Sequence, residues 1–411
     1  MISRFLMHFR SLLALISLSS LVMLTACADL GTKPPSPSPS PAPSTPDQLR
    51  LERVSFSDLP QWQELGQPNP KNLNALRAFE KSCTKIIKKP ADQDFGPLPE
   101  MGKNLDWQKI CAEISPAVTA DSARARQFFE DHFTPYLMLN NSESEGLFTG
   151  YYEPTLYGSL TRSARYKIPL RARPKDLVMV NLGEFRENLK GQRIAGRVVD
   201  GQLKPYEDRA AIEDGKLPAD MDHAIVWVDD AAAAFFLQIQ GSGIIMLDNG
   251  STIRVGYDGQ NGHIYTAIGK ELVQKNLLKK ENVSMQTILG WLEKNPQEGA
   301  KLMRTNRSYV FFKKLDTEGP VGAQNVVLTP EHSLAVDPVF VPYGAPIYLD
   351  VAPADPQSDN HPIRSIVITQ DTGGAIVGPV RGDLFWGYGP RAAHNAGLMK
   401  SKGSAYILLP K

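Results

Sequence analysis

The chain has 411 residues, 42% of them hydrophobic, which is enough apolar material for more than one buried core. Its 45 Lys and Arg residues offset 44 Asp and Glu residues, leaving a net charge of +1 and no overall field that would favour a nucleic-acid partner. The 3 cysteines and 7 scattered histidines lack the clustered spacing of metal ligands, so neither a metal nor another cofactor is expected.

Residues 1–26 read as a processing signal: Arg4 and Arg10 give a positive start, and Leu12 to Leu24 is an apolar stretch too short for a stable membrane span. Leu24-Thr25-Ala26-Cys27 resembles a bacterial lipobox, which implies lipidation of Cys27. Ala28 in place of Asp after that cysteine implies an outer-membrane address. Several acyl chains would anchor the protein stably, since each buried methylene contributes about 0.8 kcal/mol. Residues 27–49 then form a lipidated tether, Pro/Ser-rich from Gly31 to Asp47, with nothing to bury and a preference for extended, spacer-like conformations.

About 360 residues follow, room for two domains of ordinary size. Leu73, Leu76, Phe79, Cys83 and Ile86 recur at helical spacing, as do Trp107, Ile110, Cys111 and Ile114, which predicts two helices with both thiols on apolar faces. In an oxidising compartment Cys83 and Cys111 could pair, closing a loop that contributes about 3 to 4 kcal/mol in the chain-entropy model. Two separately buried thiols are the alternative. Asp121 to Phe133 predicts a third helix with Asp121 as its N-cap. From Gly146 onward short β-rich runs alternate with Gly, Pro and Asp clusters: Ala224 to Val228, Ala234 to Gln240, Tyr309 to Phe312, Pro346 to Val351 and Ser365 to Thr369. Helices are expected over Tyr265 to Lys275 and Ser284 to Glu293. The fold class is therefore mainly β with N-terminal helices (α+β), and the strand texture suggests barrels. The absence of a fixed-period repeat argues against a solenoid or propeller.

The segment ITQDTGGAIVGPVRGDLFWGYGP, Ile368 to Pro390, sets Asp371 and Asp383 on either side of a run of glycines. An aspartic protease of one chain needs two Asp-Thr/Ser-Gly signatures so that two carboxylates share a proton. Only Asp371-Thr372-Gly373 is present; Asp316-Thr317-Glu318-Gly319 breaks the triplet. Gly241-Ser242-Gly243 lacks the Gly-x-Ser-x-Gly spacing of a nucleophile elbow. It reads better as a tight turn after a strand ending at Gln240, or as a place where backbone approaches a ligand. What remains is a lone acid acting on a polysaccharide.

Seven motifs then follow in order: Gly150-Tyr151-Tyr152-Glu153-Pro154; Gln240-Gly241-Ser242-Gly243; Asn261-Gly262-His263-Ile264-Tyr265 with Ile268-Gly269-Lys270; Ser308 to Phe312; Val336-Asp337-Pro338; Gln370 to Ile376; and Asp383-Leu384-Phe385-Trp386-Gly387. Together they resemble the membrane-bound lytic murein transglycosylase A family, with its three-aspartate segment as Asp337, Asp371 and Asp383. The likeness runs from about residue 70 to the C-terminus. It implies two domains: a double-psi β-barrel assembled from 50–153 and 314–411, and an inserted β-barrel over 154–313, with glycan in the groove between them. The crossings are expected near Pro154 and Pro320. It also implies peptidoglycan glycan strands as the partner, with proteins of cell-wall synthesis or division as further candidates.

Ordinary glycosidases use two carboxyl groups, one as acid and the other as nucleophile or base. A lytic transglycosylase uses the sugar's own C6 hydroxyl, whose tethering gives it a high effective molarity, and leaves a 1,6-anhydro end. No second carboxylate is then compulsory. By the resemblance Asp383 is the acid and later the base, its pKa raised by desolvation beside Leu384, Phe385 and Trp386 or by a neighbouring carboxylate. Asp371 and Asp337 either support it or cap local turns, and the residues leave both readings open. Gly373, Gly374 and Gly378 suit a loop that approaches a ligand closely or turns with positive φ. Tyr151, Tyr152, Gln240, Ser242 and Asn261 are groove candidates offering stacking faces and amide or hydroxyl partners, with Gly373, Gly374 and Trp386 beside them. Glu153 belongs to the same set, and if it faced Asp383 across the groove a two-carboxylate hydrolase would be the better reading. A non-catalytic glycan-binding lipoprotein is the third. His263 is expected to be structural.

Overall fold

The computed structural model describes residues 46–66, 70–115, 121–189, 192–355 and 361–411; the processing signal, Cys27 and the tether up to residue 45 lie outside them. β1 (Leu49–Arg53) is followed by α1 (Pro70–Ile86), α2 (Asn104–Ala112) and α3 (Ser122–His132). The Asp121 side chain accepts from the N–H groups of Ala123 and Arg124, satisfying donors that the first turn of α3 leaves free. The apolar faces of α1 and α2 meet, and Cys83 and Cys111 are joined there by a disulfide across a sequence separation of 28. Loop closure of that length contributes about 3 to 4 kcal/mol. β2 (Phe133–Asn140) and β3 (Gly146–Glu153) complete this stretch.

At Pro154 the chain leaves for a second sheet. In order come β4 (Thr155–Ser159), β5 (Ile168–Arg171), β6 (Val178–Asn181), β7 (Arg193–Val199), β8 (Gln202–Pro205), α4 (Arg209–Glu213) and β9 (Ala224–Val228). Then follow α5 (Ala231–Gln240), β10 (Ser242–Leu247), β11 (Thr252–Gln260), α6 (Ile268–Gln274), α7 (Met285–Lys294), α8 (Pro296–Thr305) and β12 (Val310–Leu315). The strands run β12-β11-β10-β4-β9-β5, and a bridge from Ala172 to Phe312 brings the two edges together; β6, β7 and β8 form a small sheet of their own.

The run Ala234 to Gln240 is the end of helix α5 and not the expected strand. Asp230 caps the helix, accepting from the N–H groups of Ala232 and Ala233, and Gly241 ends it at φ 81°. Its side chains are buried nearly all round, so no single apolar stripe marks the helical period.

β13 (Ser333–Val336), β14 (Pro346–Val351), β15 (Ile363–Asp371), β16 (Arg381–Tyr388), α9 (Pro390–Leu398) and β17 (Lys400–Pro410) return to the first sheet. Its order is β1-β2-β17-β14-β15-β13-β16-β3, and β17 also pairs with β3. β17, β14, β15, β13, β16 and β3 therefore close into a ring with no free edge. Phe148, Leu334, Val336, Ile347, Ile368, Leu384 and Ala405 belong to its buried core, which continues into Phe79 and Phe129 of the N-terminal helices. The result is a mostly β, two-domain fold with a few helices, packed closely enough that Asp47–Lys411 forms one compact unit. Among the described residues no helix is long and apolar enough to cross a membrane.

Candidate active site

Four strands set two acids in one row. Asp383 lies opposite Thr149 in the parallel β3–β16 ladder and opposite Ala335 in the antiparallel β13–β16 ladder; Ala335 in turn lies opposite Asp371 of β15. Directly opposed residues share a face, so Thr149, Asp383, Ala335 and Asp371 project to the same side. Asp371 reaches that side through a bulge: Leu334 pairs with Thr369, but Ala335 pairs with Asp371. In regular register Asp371 would oppose Val336 and point with it into the core. Gln370, the extra residue, is fully buried. Its amide donates to the Ala78 carbonyl at 2.7 Å and to Ser82 Oγ at 2.8 Å, both on α1, and its Oε1 accepts from Ser333 Oγ at 2.5 Å.

Alternation along β16 sorts the neighbours of the acid. Leu384 and Trp386 fall into the main core, whereas Phe385 joins Tyr151, Leu328, Ala335 and Ile376 in a small apolar cluster beside the acids. Asp383 is half-buried against that cluster, and one edge of it stays reachable from solvent. Thr149 Oγ1 donates to its Oδ1 at 2.7 Å; its Oδ2 accepts no hydrogen bond from the described residues. Loss of water around the group is the main cause that pushes the Asp383 carboxyl up to about 6. The Thr149 bond and the Arg381 charge pull it down, and the Asp371 charge pushes it up again. A carboxyl so poised, with one oxygen open, can give up a proton and take one back near neutral pH.

Asp371 is more heavily bonded. The Tyr151 hydroxyl donates to its Oδ2 at 2.8 Å, and the N–H groups of Ala323 and Thr372 each donate to Oδ1 at 2.9 Å. Burial raises its pKa, and these three bonds oppose the rise. Burial and the Asp371 charge drive the Tyr151 hydroxyl well above its usual range, so it remains a donor. Asp337 is 7% exposed and has both oxygens on backbone: Oδ1 accepts from the Val339 N–H at 3.0 Å and Oδ2 from the Gly378 N–H at 2.9 Å. It fastens the loop that follows Asp371. Gly378 supplies the positive φ of that loop, 108°, whereas Gly373 and Gly374 do not adopt positive φ. They form a turn closed by the Ile376 N–H on the Gly373 carbonyl, with Gly374 exposed.

The other candidates separate. Tyr152 and Gln240 meet, the Tyr152 N–H donating to Gln240 Oε1 at 3.0 Å and tying β3 to the end of α5. Ser242 is buried at the start of β10, in a turn that follows a helix; a Cβ at Gly243 would strike Leu237 and the Pro154 carbonyl. Asn261 is 1% exposed, its amide donating to the Glu207 and Arg307 carbonyls while its oxygen accepts from the Tyr309 N–H. These bonds lock backbone together and leave nothing for a groove. Trp386 is buried against Gly150 and donates to Met399 Sδ at 3.4 Å, because its parity on β16 is opposite to that of Asp383. The ring nitrogen of His263 lies 2.7 Å from the Tyr206 carbonyl.

Glu153 does not face Asp383. It is 0% exposed, and its Oε1 accepts from Arg254 Nε of β11 at 2.8 Å. Arg254 Nη1 donates onward to the Thr317 carbonyl at 2.8 Å, so this pair joins the outgoing and returning crossings. Along β3 it stands four residues, about 13 Å, beyond Thr149. The sequence motifs do not single out Thr149 or Arg381, although Thr149 precedes Tyr151 by one alternation of the strand. Among the described residues no group of three or more His, Cys, Asp or Glu could hold a metal ion.

Known proteins share this arrangement of elements. A family model described as the MltA-specific insert domain matches residues 147–313, and one described as the 3D domain matches 332–409. The membrane-bound lytic murein transglycosylase A of Escherichia coli strain K12 is 30% identical over 266 residues, 64% of this chain; the match spans only 65% of that curated relative's length. A crystal structure of MltA from Neisseria gonorrhoeae, monoclinic form, superposes with a TM-score of 0.71 at 30% identity, covering 90% of this chain and 96% of that one. E. coli MltA with bound chitohexaose superposes with a TM-score of 0.60 at 25% identity, covering 82% and 90%.

Proposed function

Since the chain belongs to the membrane-bound lytic murein transglycosylase A family, we propose that it cleaves the bond between N-acetylmuramic acid and N-acetylglucosamine in peptidoglycan strands and leaves 1,6-anhydro ends. One observation carries this reading: the Asp383 carboxyl, raised to about 6, has one oxygen held by Thr149 and the other open. Asp383 protonates the leaving oxygen as positive charge grows at C1. The tethered C6 hydroxyl then attacks C1, and the carboxylate takes its proton. Positioned acid–base help of this kind contributes about 10²- to 10⁴-fold, and the intramolecular attack supplies the effective molarity that a separate nucleophile would lack.

Asp371 supports Asp383 by raising its proton affinity, and Asp337 by fixing the intervening loop. Tyr151 positions Asp371; Tyr152 and Gln240, joined by their hydrogen bond, and the Gly373-Gly374 turn are the remaining candidates for contact with glycan. The division into a double-psi barrel over 50–153 and 314–411 and an inserted barrel over 154–313 is supported by the closed strand ring and by the insert match at 147–313. That a structural neighbour was solved with chitohexaose favours an amino-sugar chain in the groove. Lipidation at Cys27 would hold the enzyme at the periplasmic face of the outer membrane.

A two-carboxylate hydrolase has one observation in its favour, the presence of Asp371 in the same row as Asp383. Against it, Asp371 is engaged by three donors, and Glu153 is paired with Arg254. The test is digestion of purified sacculi, with the product ends determined by mass. Anhydro ends support the proposal, reducing ends the hydrolase, and unchanged sacculi a binding protein.

A further inference from the structure

We propose that Arg381 is a positioning residue that fixes which oxygen of Asp383 carries the catalytic proton; this rests on the reading of Asp383 as general acid. Arg381 opens β16 two residues before the acid. Its Nη2 donates to Thr149 Oγ1 at 2.9 Å, and its Nη1 donates to the Leu147 carbonyl at 3.2 Å and to the Gly382 carbonyl. A guanidinium has donors only, and a threonine hydroxyl has a single hydrogen. With a cation on the oxygen side of Thr149, the hydroxyl dipole turns its hydrogen away from Arg381 and toward Asp383 Oδ1, 2.7 Å distant.

The consequence concerns the acid itself. Oδ1 accepts the Thr149 hydrogen whether the carboxyl is ionised or neutral, so the titrating proton resides on Oδ2, the oxygen with no described partner. In the forward step the Oδ2 proton passes to the glycosidic oxygen, and the electron pair of the breaking C1–O bond stays on that oxygen. The C6 oxygen closes onto C1 and its proton returns to Oδ2. Without the cation the hydroxyl could rotate and accept from a protonated Oδ1, leaving part of the population with its proton facing Thr149. The charged or titratable groups that face Asp383 are Arg381 on its own strand, Tyr151 on β3 and Asp371 on β15; β13 presents only Ala335.

The test is the pH profile of kcat/KM on sacculi for the full chain, with folding followed by circular dichroism. Arg381→Met should lower the acid plateau by roughly 10-fold or more, within the range of general-acid help, and move the alkaline limb to higher pH, because a nearby positive charge has gone. Arg381→Lys should keep the limb in place and recover part of the plateau. In a Thr149→Val background, Arg381→Met should cost less than about 2-fold more, since residues acting as one unit are not additive. A limb for Arg381→Met that superposes on wild type overturns the proposal, as do costs that multiply in the double variant. Should Arg381→Met fail to fold, the Lys variant decides alone, and a displaced limb there counts against it. Asp383→Asn runs alongside: wild-type turnover in that variant would remove the general-acid reading, a result separate from anything the Arg381 variants report.

Discussion

Asp383 and Glu153 are both carboxylates raised by burial, and β3 meets both, running beside Asp383 at Thr149 and ending in Glu153. Around Asp383 the partner in contact is a hydroxyl, and one oxygen has no described donor. Around Glu153 the partner is the Arg254 guanidinium at 2.8 Å, and the residue has no exposure at all. Loss of water acts on both. The difference is that a contacting cation opposes the rise at Glu153 and holds its side chain in one place, whereas the hydrogen-bond contact of the Arg381 cation with Asp383 runs through Thr149. Burial therefore raises both carboxyls alike, and under the proposed function it is the indirect counter-charge and the open oxygen that set Asp383 apart.

The comparison can be broken most decisively by Asp383→Asn. Activity on sacculi should fall about 10²- to 10⁴-fold with the fold intact by circular dichroism, and near-normal turnover would place the two carboxylates on equal footing. Glu153→Ala should instead act on stability. It leaves the Arg254 guanidinium uncompensated, which costs about 3–5 kcal/mol in denaturant unfolding. Activity per folded molecule should drop far less than in Asp383→Asn, and an equal drop would assign Glu153 to the chemistry.

A smaller effect separates the two in the opposite direction. The folded pKa of Asp383, about 6, lies above the roughly 3.9 of an unfolded aspartate, so its neutral form is the one the native state favours. Stability from this group is present below the unfolded value and lost as pH rises through the folded one. Asp383→Asn should thus melt above wild type at pH 7.5, with the gain vanishing near about pH 4. A gain that persists at acid pH would mean the carboxylate is not strained. Smallest is Tyr151→Phe, which removes one of the three donors to Asp371. It should cost about 1 kcal/mol of stability and shift the alkaline limb of activity slightly downward, because an Asp371 that keeps its charge less firmly raises Asp383 less. An unchanged profile would uncouple Asp371 from the acid.

The order of motifs, the N-terminal helices and four of the strands were legible because each rests on local signals: the Asp121 cap, the apolar spacing of α1 and α2, and the runs that became β9, β12, β14 and β15. Helix α5 was not, since its buried circumference hides the period, although Asp230 and Gly241 bracket it. Strand parity could have removed Trp386 from the groove, because 383 and 385 share one face and 384 and 386 the other. The same alternation points to Thr149 from Tyr151. Two features had no local signature. Ala335 is brought between Asp371 and Asp383 only by strand order, and the bulge that turns Asp371 outward depends on Gln370 finding partners on α1. Asn261 was misleading for a different reason, as an amide that joins backbone segments has the same composition as one that binds a sugar.

The supernumerary residue in β15 makes this strand sensitive to length more than to identity. Adding one more residue beside Gln370 would slide Asp371 by one pleat, exchange its environment for that of Val336, and force an ionisable group among aliphatic ones. An insertion scan across 363–371 should therefore find a sharp intolerance where conservative replacement is mild, and any homologue that has gained one amino acid there must re-aim its acid by other means.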